Sequence, residues 1–190
     1  AGDIRFVLLT NADLDFLDIL NYLCTSLNLS AENLDAEQRS QLLLDALAAH
    51  ARRNQAVALL VDDAHHLRIG VLARLWEFVV TPTIPNQRLQ VVLAGLPEIE
   101  GKLRQPELRQ LGESIVIRCR LDRLSNQEIG PFISHQFEVA GWKGKILLSP
   151  EVIDRIATYC QGVPRAIAML CDVILLLASL ESGRDITPEL

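Results

Sequence analysis

The sequence predicts an α/β fold: a parallel sheet packed with helices, followed by a smaller all-helical region. Hydrophobic residues make up 49% of the 190 residues but aromatic residues only 5%, and a core of Leu, Ile, Val and Ala suits helices packed on a buried sheet. Strand and helix patterns alternate in residues 1–121, and only helical patterns continue in residues 122–190. We therefore expect a parallel sheet covered on both faces in the first region and a helical subdomain in the second.

The strands and helices of the first region are assigned from the spacing of apolar residues. Short apolar runs bounded by polar residues predict strands, and apolar residues that recur every three or four positions predict helices. The predicted strands are 4–10, 57–61, 88–95 and 114–121. The predicted helices are 11–29, 35–53 and 68–79, with a turn at 82–87, and in segment 96–112 Pro97 and Pro106 each suit a first helical turn.

Helix boundaries in the second region are marked by capping residues. Ser125 and Glu128 have the spacing of a capping box, and Ser149 followed by Pro150 suits the start of the next helix. Gly141 suits the end of the helix between them. Three helices are therefore expected after the sheet.

Charge, cysteine content and hydropathy limit the possible functions. The net charge of −6 gives the domain no overall attraction for nucleic acid or anionic membranes. The four cysteines have no CxxC spacing, which indicates buried free thiols in a reducing compartment, the cytoplasm, and no disulfide framework. The most apolar run, 166–180, is shorter than a bilayer span and contains Asp172, so it predicts a core helix and no membrane segment.

Two adjacent aspartates, Asp62 and Asp63, follow the apolar strand 57–61 in VALLVDDAHHL. Ligands of parallel α/β sheets bind at the carboxyl ends of the strands, and an apolar strand that ends in an acidic pair is the Walker B arrangement of nucleotide hydrolases. The first carboxylate there holds Mg²⁺ and the second polarises the attacking water. Two alternatives stay open. The pair could cap the next helix, or join His65 and His66 at a metal, although adjacent residues do not easily direct two imidazoles at one ion.

A Walker B pair needs a phosphate-binding loop of the form GxxxxGK[ST], and the sequence has none. In GLPEIEGKL, residues 95–103, five residues separate the glycines, Leu103 replaces the hydroxyl residue and Pro97 lacks an amide hydrogen. GWKGKI, residues 141–146, follows a predicted helix and has no strand before it. Both segments are interpreted as structural.

Four segments, in this order and at this spacing, resemble the AAA+ ATPases of the general secretion pathway protein A group. They are LLVDDAHHL, LQVVLAGLPEIEGKLRQPELRQL, LDRLSNQEI and GVPRAIAMLCDVILLLA. The resemblance covers nearly the whole chain and implies a P-loop AAA+ core, here without the P-loop strand, followed by a helical lid. The same broad clade includes transposition and origin-recognition ATPases.

The resemblance implies roles for four residues. Asp62 matches the Walker B aspartate that organises Mg²⁺, and Asp63 stands in the place of the catalytic glutamate, where a side chain one methylene shorter would slow the chemistry. Arg165 matches the sensor 2 arginine that reaches the nucleotide phosphates, and Gly162 belongs to the same GVPR motif and is included with it as nucleotide-binding. A solvated arginine in a first helical turn is the alternative for Arg165. ATP and Mg²⁺ are the implied cofactors, provided that an upstream P-loop is present.

Other family positions have changed in this chain. Leu96 replaces the polar sensor 1 residue and cannot form a hydrogen bond with its side chain. An arginine finger would have to come from Arg104 or Arg109, which we instead expect to form surface or interface ion pairs. The missing P-loop strand would leave a gap in the sheet, and we expect the gap to be closed by segment 114–119 pairing with strand 88–95 or by a strand from another copy.

The resemblance therefore implies an ATPase module of a secretion or pilus-assembly type that does not hydrolyse ATP by itself. Its implied partners are further copies of the chain in a homo-oligomer and a secretion or assembly protein. One alternative is a catalytically inactive AAA+-like interaction domain, which the changes at Asp63 and Leu96 and the missing arginine finger together favour. Another is a DNA-handling ATPase, which the acidic charge disfavours although Arg118, Arg120 and Arg123 could line a groove.

Overall fold

The computed structural model describes residues 3–10, 13–80, 89–141 and 149–180. Contacts divide the chain into two compact units, Ala1–Ile117 and Arg118–Leu190. The domain boundary predicted between residues 121 and 122 lies close to this division and stays a prediction. The turn predicted at 82–87 lies outside the described residues.

The first unit contains a three-stranded parallel sheet in the order β1, β2, β3. Its strands are β1 (Ile4–Leu9), β2 (Ala56–Val61) and β3 (Leu89–Leu93). Its helices are α1 (Phe16–Ser26), α2 (Ala36–Arg52), α3 (Ile69–Val80), α4 (Glu98–Leu103) and α5 (Arg109–Ser114). The α/β class, three of the four predicted strands and the helices between them are therefore confirmed.

The helices of this unit pack on one face of the sheet. The residues of that face, such as Val7, Leu59 and Leu89, belong to one core cluster together with buried residues of α1, α2 and α3. Leu59 of the central strand pairs with Val7 on one side and Val91 on the other and is fully buried. Because crossovers between parallel strands are right-handed, a sheet whose strands follow one another in chain order keeps its connecting helices on a single face.

The opposite face of the sheet is apolar and exposed on the two outer strands, although Ala58 of the central strand is buried there, so the expectation of a sheet covered on both faces is wrong for the described residues. Phe6 is 67% exposed, Leu8 51% and Val92 51%. These side chains alternate along their strands with the buried ones, as the two-residue period of a strand requires. None of them belongs to the core cluster. A helix could cover this face only if its crossover ran across the sheet in the direction from β3 toward β1, opposite to the crossovers from β1 to β2 and from β2 to β3.

The predicted fourth strand, 114–121, is not formed. The chain after Ser114 carries neither helix nor strand until α6, and Val116 and Ile117 are 94% and 82% exposed. Within the described residues β3 pairs only with β2, so closure of the gap by this segment is also wrong. A strand needs a hydrogen-bonded neighbour, and no strand of the described ranges lies beside this segment. Exchange of a strand with another copy stays a prediction.

The second unit contains three helices around a small core of their own. They are α6 (Asn126–Val139), α7 (Pro150–Cys160) and α8 (Pro164–Leu180). The buried residues are Ile129, Ile133, Val152, Ile156, Ala157, Cys160 and Ile167. Among the residues of α8 whose burial is described only Ile167 is buried, and Met169, Val173 and Leu176 are exposed, so the prediction of a core helix is correct only for the side around Ile167.

The predicted caps of the second unit are present. The Glu128 carboxylate accepts hydrogen bonds from the Ser125 amide at 2.8 Å and the Ser125 hydroxyl at 2.7 Å, and these bonds hold the pKa of Glu128 below its ordinary value. The Ser149 hydroxyl accepts from the Val152 amide at 3.3 Å. Helix α6 ends before Gly141, whose φ is +88°.

The cysteine thiols are free, as predicted, although they are not all buried. Cys24 and Cys160 are buried and Cys171 is half-buried, whereas Cys119 is exposed. Burial raises the pKa of the Cys24 and Cys160 thiols, because the charged thiolate is disfavoured away from water. The two buried cysteines therefore act as small apolar core residues.

Gly162 joins α7 to the segment that precedes α6. Its carbonyl accepts a hydrogen bond from the Leu124 amide at 2.8 Å, and its φ is +72°. A Cβ at this position would lie 2.2 Å from the Leu124 carbonyl oxygen. Close backbone packing and a left-handed conformation thus require glycine here.

Substitutions on the two faces of the sheet should have very different effects on stability. We expect Leu59→Ala to lower the free energy of unfolding by about 2–5 kcal/mol, because it opens a cavity in the covered core. Phe6→Thr, on the exposed face of the neighbouring strand, should change it by about 0.5 kcal/mol or less. Urea unfolding of both variants is the measurement. Equal losses would mean that the face around Phe6 is covered in solution.

Two glycines with positive φ offer a matched test of the packing around Leu124. We expect Gly162→Ala to destabilise the chain by about 3 kcal/mol or more, from left-handed strain of about 1–2 kcal/mol and a steric clash of similar size. Gly141→Ala should cost only the strain, because no described atom lies within 4 Å of its Cβ position. Thermal unfolding followed by circular dichroism compares the two, and similar losses would argue against close packing at Gly162.

Candidate functional site

The acidic pair lies at the carboxyl edge of the sheet, directly after β2. The Asp62 amide donates to the Leu9 carbonyl at 2.9 Å, which extends the ladder between β1 and β2 by one residue. The Asp62 carboxylate accepts from the Asp63 amide at 2.9 Å. Both aspartates are exposed, and the Asp63 side chain is 60% exposed. The structure therefore fixes the backbone of the pair and leaves oxygen atoms of both carboxylates open to solvent.

Helix capping does not account for the pair. Asp63 precedes a three-residue 3₁₀ turn, Ala64–His66, but its side chain makes no capping hydrogen bond to that turn. The next α-helix, α3, begins only at Ile69. Asp63 has φ +49° and ψ +34°, a left-handed conformation that aspartate tolerates better than most residues. The capping alternative is thus not supported by the hydrogen bonds of this turn.

The loop after β3 is bonded to the turn after β2. The Ala94 amide donates to the Val61 carbonyl at 2.9 Å, and the Ala64 amide donates to the Ala94 carbonyl at 2.8 Å. Gly95 packs against the turn so closely that a Cβ would lie 3.1 Å from both the backbone nitrogen and Nδ1 of His65. The two loops therefore form one connected surface next to the acidic pair.

His65 is the nearly buried side chain of this surface. Only 9% of the side chain is exposed, and its Nδ1 accepts a hydrogen bond from the Leu96 amide at 3.3 Å. The same nitrogen lies 3.9 Å from Asp63 Oδ1, and the ring centroid lies 4.1 Å from that of His66. Among the described residues no group of three His, Cys, Asp or Glu side chains could hold a metal ion together.

Lys102 is a site residue that sequence reasoning missed. Its ammonium group, on α4, donates to the backbone carbonyls of His65 and Leu67, the latter at 2.8 Å. The lysine thus braces the turn that carries the acidic pair. Nothing in the sequence indicates this role, because the partners lie 35 and 37 residues away and no motif connects them.

The arginines proposed as fingers form surface ion pairs, as predicted. Arg104 lies 3.5 Å from Glu100, and Arg109 lies 2.9 Å from Glu113, each one helical turn apart. Leu96, at the position of sensor 1, has a 54% exposed side chain and takes part through its main-chain amide alone.

The two candidate nucleotide-binding residues of the second unit lie at the start of α8. Arg165 is exposed in the first helical turn, and it makes no ion pair with any residue that the structure describes. Gly162 is buried and packs against Leu124, which by itself accounts for a glycine. The nucleotide-binding roles of Arg165 and Gly162 stay predictions of the family resemblance.

The carboxylates fit a Mg²⁺ ion, whereas the described residues provide no cradle for phosphates. Asp62 supplies carboxylate oxygens, the ligands that Mg²⁺ prefers, and Asp63 lies beside it. A shallow cavity is present at the other end of the strands and is therefore separate from the pair. It is lined by Asp3, Ile4, Arg5, His50 and Gln55. No helix in the described part of the chain is long and apolar enough to cross a membrane.

Comparison with known proteins identifies relatives of this chain. General secretion pathway protein A of Aeromonas hydrophila is 34% identical over 188 residues, which are 97% of this chain and 33% of that protein. The chain thus spans about a third of the length of that curated relative.

Solved structures of archaeal proteins share the fold. Cdc6p of Pyrobaculum aerophilum has a TM-score of 0.68 at 20% identity and covers 96% of this chain and 49% of its own. ORC2 of Aeropyrum pernix, in its ADP form, has a TM-score of 0.73 at 14% identity and covers 97% of this chain and 50% of its own. At these identities the likeness shows the fold alone, which is the P-loop AAA+ type predicted from the sequence.

A family profile described as an AAA domain matches residues 3–103, which include all three strands and the acidic pair. The match covers more than half of the 190 residues. This chain therefore belongs to the AAA domain family.

Proposed function

We propose that this chain is the Walker B part of a Mg²⁺-ATP-binding module in a secretion or pilus-assembly type ATPase. The observation that carries the proposal is the exposed pair Asp62 and Asp63 at the carboxyl edge of a parallel sheet, fixed by backbone bonds and unused as a helix cap. Asp62 would hold Mg²⁺, which neutralises developing charge on the phosphates, and Asp63 would orient the attacking water. Hydrolysis would require an upstream P-loop, because phosphates need backbone amides and a lysine to offset the repulsion of the aspartates.

The unpaired edge of β3 supports the proposal that a further strand, which carries the P-loop, lies beside β3. Within the described residues β3 is bonded only to β2, so its other edge offers unpaired amides and carbonyls to a further strand. Parallel strands lie about 4.8 Å apart, and a strand beside β3 would end about 10 Å from Asp62. A loop after that strand could hold phosphates within reach of a Mg²⁺ ion at Asp62.

The exposed face of the sheet supports the proposal that a helix follows that strand and covers this face. A strand beside β3 that precedes β1 in the chain must cross back over the whole sheet to reach β1. This crossover runs opposite to those that connect β1 to β2 and β2 to β3, so a right-handed connection places its helix on the other face. That face carries the exposed side chains of Phe6, Leu8 and Val92. One upstream strand would thus pair with the free edge of β3, and the helix after it would cover the exposed apolar face.

The relatives are consistent with a nucleotide ligand. ORC2 of Aeropyrum pernix was solved with ADP and with ADPNP, and its fold resembles that of this chain at low identity. As part of the proposal, ATP and Mg²⁺ are the ligands of this chain. Assembly into a homo-oligomer and contact with a secretion partner in the cytoplasm belong to the same proposal.

A catalytically inactive interaction domain is the second candidate. It is favoured by the exposed apolar side chain of Leu96 where family members use a polar one. A DNA-handling ATPase has less support, because Arg120 lies 3.2 Å from Asp122 and Arg123 donates to Gln161 at 2.8 Å. These two arginines are therefore engaged by other side chains and not presented as a phosphate-binding groove.

Binding of a fluorescent ATP analogue with and without Mg²⁺ tests the proposal. The chain itself should bind weakly or not at all, and a version extended upstream through the native P-loop should bind in a Mg²⁺-dependent way. Asp62→Ala in the extended version should weaken Mg²⁺-dependent binding by about tenfold or more, the effect of losing one charged contact worth about 1.5 kcal/mol.

Asp45→Ala is the matched control, because Asp45 is an exposed aspartate in the middle of α2 and does not belong to the acidic pair. It should leave binding unchanged. Absence of binding by the extended version would overturn the ATPase proposal and favour the interaction domain. Mg²⁺-dependent binding that survives Asp62→Ala would instead remove Asp62 from the metal site.

A further inference from the structure

One ring nitrogen of His65 faces two groups that make opposite demands on it. His65 Nδ1 accepts a hydrogen bond from the Leu96 amide at 3.3 Å and lies 3.9 Å from Asp63 Oδ1. An amide can only donate, and a carboxylate can only accept. Nδ1 must therefore lack a proton to bind Leu96 and must carry one to bind Asp63.

The two bonds exclude each other in the neutral imidazole. In the arrangement described, Nδ1 is occupied by the Leu96 amide, so the ring proton resides on Nε2. The Asp63 carboxylate then receives no hydrogen bond from His65 and keeps its lone pairs for water. If the loop carrying Leu96 moves away, the ring can change tautomer through water, which takes the proton from Nε2 and gives one to Nδ1. Nδ1 can then donate to Asp63.

The surroundings of His65 hold the first arrangement in place. Gly95 packs against the imidazole so closely that a Cβ would lie 3.1 Å from Nδ1, and the Ala64 amide donates to the Ala94 carbonyl at 2.8 Å. Lys102 fixes the carbonyls on either side of His66. With only 9% of the side chain exposed, the ring has little freedom to find a third partner.

We infer that His65 is a positioning residue that couples the loop after β3 to the availability of the Asp63 carboxylate. When the loop is docked, the Leu96 main-chain amide occupies Nδ1 and Asp63 is free. When the loop is displaced, Nδ1 donates to Asp63 and withdraws it from water. The inference rests on the proposed role of Asp63, and it gives Leu96 a function that depends on its backbone alone.

The ring tautomer can be read in this chain without nucleotide. Long-range ¹H–¹⁵N spectra should show Nδ1 of His65 unprotonated in the wild type. Gly95→Ala brings a Cβ to 3.1 Å from His65 Nδ1, a tight contact that a small shift of the loop or the ring relieves, and where the loop leaves Nδ1 the proton should reside there. Gly70→Ala is the matched control, since nothing lies within 4 Å of its Cβ position, and it should leave the ring unchanged.

The Leu96 amide resonance reports whether the loop has moved. If Gly95→Ala leaves that resonance in place, Gly95→Val puts a larger side chain at the same point and forces the displacement. A displaced loop with Nδ1 still unprotonated would overturn the inference. A wild-type ring already protonated on Nδ1 would overturn it as well.

The consequence for catalysis is tested in the version extended through the P-loop. Gly95→Ala should lower kcat for ATP hydrolysis by about tenfold, the effect of one charged hydrogen bond that must be broken, with KM within about twofold. Adding His65→Leu should restore most of the lost rate, because leucine cannot donate to Asp63. If His65 had only a structural role, adding His65→Leu would lower kcat further.

The two proposals fail in different ways. If the extended wild type does not hydrolyse ATP, the proposed function fails, and the ring spectrum still decides whether Leu96 and Asp63 compete for His65. If the tautomer changes but kcat does not, or if His65→Leu deepens the defect of Gly95→Ala, the coupling to catalysis is wrong.

Discussion

Right-handed crossovers between parallel strands place the segments that connect β1, β2 and β3 on a single face of the sheet. The core around Leu59 follows from this constraint, since all three connecting helices bury their apolar stripes there. The exposed positions of Phe6 and Leu8 follow from it as well. The direction of the strands also brings every carboxyl end to one edge, where Val61 and Ala64, on either side of the acidic pair, are bonded to the loop after β3. One chirality rule thus sets both the packing and the location of the site.

Local patterns in the sequence are sufficient to predict most of the fold. Strands β1 to β3 and helices α1 to α3 are visible as apolar runs and helical periods, and the caps at Ser125 and Ser149 are visible as short motifs. The failure at residues 114–121 has a different cause. That segment has the composition of a strand, but strand formation depends on a neighbour distant in sequence, and the covering of the second sheet face depends on topology in the same way.

The candidate site likewise has a part that local sequence predicts and a part that depends on contacts between distant residues. The acidic pair could be predicted because a strand ending in two carboxylates is a local signal. The contacts of His65 with Leu96, and of Lys102 with two carbonyls, join residues more than 30 positions apart. They depend on the close approach of two loops, which Gly95 permits. The sequence shows that glycine without showing what packs against it, so the arrangement could be found only in three dimensions.

The exposed apolar face has a consequence for any polypeptide that consists of these residues alone. Monomeric proteins rarely display an apolar patch beside an unprotected strand edge, because such surfaces pair with other chains. Chaperones and proteases recognise the same features in proteins that have not finished folding. A polypeptide of these residues alone would be handled as a folding intermediate even when its core is intact. Resistance to denaturation and survival in the cell would therefore be separate properties, the first set by the covered face and the second by the uncovered one.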